Sequence, residues 1–66
     1  MLPTDLPEDI QSALATDAVA GARFTSLPPS HRREYLDWIG EAKKDDTRRR
    51  RIAGMIDRLT RPGFPR

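Results

Sequence analysis

Apolar side chains recur three and four positions apart along this chain and nowhere alternate one-in-two, the period of helices that pack one face inward rather than of strands. Leu6, Ile10, Ala13 and Leu14 make one such stripe, Tyr35, Trp38, Ile39 and Ala42 a second, and Ile52, Met55, Ile56 and Leu59 a third. Prolines and capping residues divide them. Pro7 suits a first helical position, and Glu8 and Asp9 after it favour the positive end of a helix dipole. Asp17 is placed to cap a short second helix over about 18–24, with Phe24 and Leu27 as apolar anchors. Pro28 and Pro29 end it, because a residue before proline avoids helical angles, and a third helix is expected over about 29–43. Asp45 or Asp46 is placed to cap a last helix over about 46–60, which Pro62-Gly63 stops. The expected fold is all-α: a small bundle of three to four short helices around one core, with no strands. Residues 1–5 read as a lead-in, 6–60 as one helical domain and 61–66 as an extended tail.

Sixty-six residues hold only one core, and a domain of this size buries only ~60% of the surface its unfolded chain exposes. There is no cysteine to add a disulfide, and the single histidine leaves no ligand set for zinc, so no metal and no cofactor is expected. Stability must come from helix packing or from association, which fits a monomer or a weak homo-oligomer. The candidate core is Leu6, Ile10, Leu14, Phe24, Leu27, Tyr35, Trp38, Ile39, Ile52, Met55, Ile56 and Leu59. No stretch approaches the ~20 apolar residues needed to span a bilayer, and MLPTDLPEDI carries acids where a secretory leader has positive charge. With the absence of cysteine this fits a cytoplasmic protein.

Charge is distributed unevenly. Up to Leu27 four acids face only Arg23; from Pro28 onward eleven Lys and Arg oppose six acids. The densest run is Arg48-Arg49-Arg50-Arg51, behind Lys43 and Lys44. At about 100° per residue the four arginines cannot share a direction. Arg50 points away from the apolar stripe, Arg49 and Arg51 flank it, and Arg48 shares its azimuth. An inward guanidinium needs a compensating acid, so Arg48 is expected to form a partly buried structural ion pair with Glu8, Asp9 or Glu41. Asp45/Arg49 and Asp46/Arg50 have the i,i+4 spacing of helix-surface pairs. Arg32, Arg33, Lys43, Lys44, Arg49, Arg50 and Arg51 form a candidate basic surface for an unknown acidic protein partner. A self-paired, solvated helix face is the bland alternative. Nucleic-acid binding through the Arg-rich last helix is the other; against it, Asp45 and Asp46 lie where phosphate would approach, the arginines point in several directions, and no aromatic accompanies them for stacking.

No group of residues suggests catalysis. His31 lies in the first turn of the third helix, on the edge of its apolar arc, and Ser30 beside it reads as a helix-start residue, not a nucleophile. The acids are placed as caps and helix-face partners, without an acid/base pair, and no glycine-rich phosphate loop occurs. Trp38 and Tyr35 read as core content.

Phe24-Thr25-Ser26-Leu27-Pro28-Pro29-Ser30-His31-Arg32-Arg33-Glu34-Tyr35-Leu36-Asp37-Trp38-Ile39, followed by Glu41-Ala42-Lys43-Lys44 and Thr47-Arg48-Arg49-Arg50-Arg51-Ile52, resembles the YdeI/OmpD-associated, or bacteriocin-protection, family. The stretch from Pro7 to Leu14 shares its upstream flavour, so the likeness covers about residues 6 to 60. The resemblance implies a compact helical domain of bacterial proteins, linked in name to protection against bacteriocins or antimicrobial peptides and to an outer-membrane porin, with no catalytic residues to transfer. The motif positions it implies are Ser30, His31, Arg32, Arg33, Tyr35, Trp38, Lys43, Lys44, Thr47, Arg48, Arg50 and Arg51. The expectation is a non-enzymatic interaction module that binds an acidic partner through its basic surface.

Overall fold

A computed structural model describes residues 6–62. It holds four helices: α1 (Glu8–Thr16), α2 (Ala18–Ser26), α3 (Pro29–Gly40) and α4 (Asp45–Thr60). The described residues contain no strand. Helix α4, the longest, packs against each of the other three, and α1 also packs on α2. The Cα radius of gyration is 11.0 Å, close to the ~11 Å expected of a compact domain this size. The lead-in at 1–5 and most of the tail at 61–66 lie outside the described residues.

Local chemistry accounts for most boundaries. The Asp17 carboxylate accepts from the backbone N–H groups of Val19 and Ala20, both at 3.1 Å, so one residue both ends α1 and caps α2. Helix α2 runs two residues past the expected Phe24, with the Thr25 and Ser26 hydroxyls donating to the carbonyls of Gly21 and Ala22 one turn earlier. Helix α3 ends at Gly40, three residues before the expected Lys43. A poor helix former stands there, and the N–H of Ala42 turns back to the Ile39 carbonyl at 3.1 Å in a tightened final turn. Neither Asp45 nor Asp46 caps α4. The capping position falls on Lys44, which makes no side-chain cap, and both acids act from within the first turn through their charge.

The interior is made by Leu6, Ile10, Leu14, Ala20, Phe24, Leu27, Ile39, Ile52, Met55 and Leu59. Tyr35, Trp38 and Ile56 differ from the sequence expectation: they are half-buried and pack on the margin of this core. Ala20 joins the core because α1 and α2, linked by one residue, are pressed together. The same closeness requires Gly21, where an added Cβ would lie 2.8 Å from the Leu14 carbonyl oxygen. Gly54 on α4 is different, since a Cβ there would meet only the Trp38 ring edge, at an ordinary 3.5 Å. Gly21→Ala should therefore lose about 1–3 kcal/mol in urea denaturation through overpacking, whereas Gly54→Ala should gain about 0.5–1 kcal/mol from helix propensity.

Candidate interaction surface

The arginines divide into those that hold helices together and those that face solvent. Arg48, on the first turn of α4, donates from Nε to Asp9 Oδ2 at 2.6 Å and from Nη2 to Oδ1 at 3.0 Å, a two-point bond to the start of α1. Of the three acids considered from sequence, Asp9 is therefore the partner. It also accepts from the Ile10 N–H at 2.9 Å. The Arg48 hydrogen bond holds the Asp9 carboxyl below its ordinary 3.8, against a smaller opposing effect of burial, and raises Arg48 in return.

Arg32 and Arg51, grouped by sequence with the partner-binding surface, make internal bonds. Arg32 Nη1 donates to the carbonyls of Thr25 (3.1 Å) and Leu27 (2.9 Å) at the end of α2. Arg51 Nη1 donates to the Trp38 carbonyl at 2.6 Å near the end of α3 and stands 4.0 Å from Glu41 Oε1. Arg23, which sequence did not single out, does the same for α4, bonding the Leu59 carbonyl at 2.8 Å and that of Arg61 at 3.2 Å. In hindsight its signal is its isolation as the one base among the first 27 residues, in the last turn of a helix of small residues.

Trp38 corrects the expectation that the arginine run lacks an aromatic. The indole comes from α3 and meets the guanidinium of Arg51 at 5.5 Å and that of Arg58 at 5.1 Å from its ring centroid. Arg58 was also missed; the legible signal was its place seven residues, two helical turns, after Arg51, with Gly54 between.

The remaining cations of the expected surface are exposed: Arg33 on α3, Lys43 and Lys44 in the α3–α4 connection, and Arg49 and Arg50 in the first turns of α4. Arg49 pairs with Asp46 at 3.1 Å, an i,i+3 contact in place of the i,i+4 pairs expected. Among the described residues, Arg33, Lys43, Lys44 and Arg50 are in no ion pair. His31 and Ser30 are exposed. Among the described residues no group of His, Asp and Glu is arranged to hold a metal ion, and no helix is long and apolar enough to cross a membrane.

These features define a class: a four-helix, all-α domain whose arginines serve partly as internal ties and partly as a cationic corner. The family model described as "Bacteriocin-protection, YdeI or OmpD-Associated" matches residues 3–61, and the chain belongs to that family. Comparison with curated proteins and with solved structures gives no match.

Arg48 and Asp9 are 27% and 46% exposed, so screening reduces the value of their pair to about 1 kcal/mol. Asp9→Asn should lose that amount at neutral pH. Because the folded-state pKa of Asp9 is depressed, the pair stabilises above the ordinary carboxylate value and its contribution fades as pH falls through the folded value. Urea unfolding of wild type and Asp9→Asn should accordingly converge only once the pH has fallen below the depressed Asp9 value, under the ordinary 3.8.

Proposed function

We propose that this domain is a non-enzymatic interaction module of the cytoplasm that binds an acidic protein partner at the corner formed by Lys43, Lys44, Arg49 and Arg50. The observation that carries this is the division of labour among the cations. Arg23, Arg32, Arg48 and Arg51 have their guanidinium groups engaged inside the fold, whereas Lys43, Lys44 and Arg50 are exposed without an ion pair among the described residues. From Lys44 to Arg50 is six residues of helix, about 9 Å, so the four charges crowd one end of the molecule. Such a patch speeds encounter with an oppositely charged surface and selects against basic ones. The family description, bacteriocin protection and YdeI or OmpD association, supplies a biological setting for such a module.

Asp45 and Asp46 stand inside the same corner. A polypeptide can space its carboxylates around two acids; a duplex, with one negative charge per ~1.7 Å of axis, has less room to do so. Protein is therefore preferred to nucleic acid as the partner. The test is fluorescence anisotropy with a labelled decaglutamate peptide and with a duplex DNA at low salt. Wild type should bind the peptide and Lys43→Glu/Lys44→Glu should lose at least about tenfold in affinity with an unchanged unfolding midpoint. Absence of peptide binding at low salt refutes the proposal. Tighter binding of the duplex than of the peptide replaces it with the nucleic-acid alternative.

A further inference from the structure

Trp38 is the one tryptophan of the chain, and its surroundings are built from three positions of a single helix. Arg51 and Arg58 lie two turns apart on α4, about 10.5 Å along the axis. Both guanidinium groups lie over the indole, their central carbons 5.5 and 5.1 Å from its ring centroid. Gly54 lies between them in sequence, and the ring edge Cη2 sits 3.5 Å from where its Cβ would be, an ordinary contact distance that places the indole against the helix.

The two arginines are not equivalent. Arg51 is spoken for by the Trp38 carbonyl and neighboured by Glu41, and it is half-buried. Arg58 is exposed, is in no ion pair, and its guanidinium donates no hydrogen bond among the described residues. A guanidinium stacked on an aromatic face keeps its N–H edges available in a planar fork that matches a carboxylate, and stacking has already restricted the side chain. Freezing a free arginine is a large part of the cost of binding an anion, and here much of that ordering precedes contact. The acid next to Arg58 in sequence, Asp57, is held by Arg61 at 2.8 Å.

We propose that Trp38 and Arg58 form the anchor of the acidic-partner interface: a carboxylate of an acidic polypeptide segment docks on the stacked Arg58 guanidinium, while the segment runs along α4 toward Lys43 and Lys44. This rests on the acidic-partner function proposed above and locates its centre in an aromatic–arginine pair, the residue types that dominate binding energy at protein interfaces. The fourteen residues from Lys44 to Arg58 span about 21 Å of helix, which six to seven residues of extended chain cover.

The sole indole makes the test direct. Decaglutamate is titrated into the full chain while Trp38 emission and peptide anisotropy are followed together. Emission should change saturably with the midpoint of the anisotropy curve. Arg58→Gln should weaken peptide binding about tenfold, and Arg58→Lys, which keeps the charge and loses the planar fork, should restore only part of it. Trp38→Phe, read by anisotropy, should weaken binding by less than Arg58→Gln, because a phenyl ring still supports the guanidinium. Unfolding midpoints separate these effects from misfolding. If anisotropy binding is lost in Lys43→Glu/Lys44→Glu but Arg58→Gln binds like wild type and emission stays flat, the corner function survives and the Trp38–Arg58 anchor is overturned. If wild type does not bind the peptide at all, both fall. If inorganic phosphate alone produces the emission change at concentrations like those of the peptide, the site takes free anions and the polypeptide assignment is overturned.

Discussion

Every helix ends in carbonyl groups that have no partner within it, and in so small a domain there is little other structure to supply one. Here arginine does. Arg32 reaches the end of α2, Arg51 the end of α3 and Arg23 the end of α4, each from a different element and each placing positive charge at the negative end of a helix dipole. These bonds are made at the margin of the core, where the guanidinium can stay partly hydrated and the long side chain can cover apolar surface. They knit α2 to α3, α3 to α4 and α2 to α4 in a chain that has no cysteine for a disulfide, a support that chains of this size commonly use.

Helix α4 is the element on which the rest converges. Its buried stripe, Ile52, Met55 and Leu59, faces the shared interior. Arg48, at the azimuth of that stripe, reaches Asp9 of α1, and Arg51 and Arg58 beside the stripe reach Trp38 of α3. The high arginine content of this helix is thus a structural requirement as well as a surface property. The planar guanidinium, with five donors in a fixed fork, suits arginine better than lysine to bond a carbonyl at its edge while its face packs on a ring. The lysines, Lys43 and Lys44, are correspondingly the exposed cations of the connection. This partition gives the proposed interface its shape: a hydrated cationic corner at one end of α4 and an ordered arginine on indole toward the other.

The chain alone determined what depends on neighbours in sequence. Helical period, the proline breaks, the Asp17 cap and most of the core follow from residues one to four positions apart, so four helices and the family pattern were legible before any coordinates. Arg48 was legible as inward-pointing because its azimuth on α4 is a local property. Where α3 stops and where α2 stops were less so, since each end is decided by which carbonyl finds a donor.

Tertiary structure alone decided which cations are spent inside. Arg32 and Arg33 are adjacent in sequence, as are Arg50 and Arg51, yet in each pair one bonds a distant carbonyl and the other faces water. Spacing gives Arg51 a direction nearer the core than Arg50, but it does not name the carbonyls that Arg32 and Arg51 meet, because the acceptors belong to other helices and become available only when those helices pack. The same holds for Trp38, which the chain places ten or more residues from the arginine run and the fold brings against the guanidinium groups of Arg51 and Arg58. Local periodicity sets the direction of a side chain on its own helix; what it meets there is set by how the helices cross.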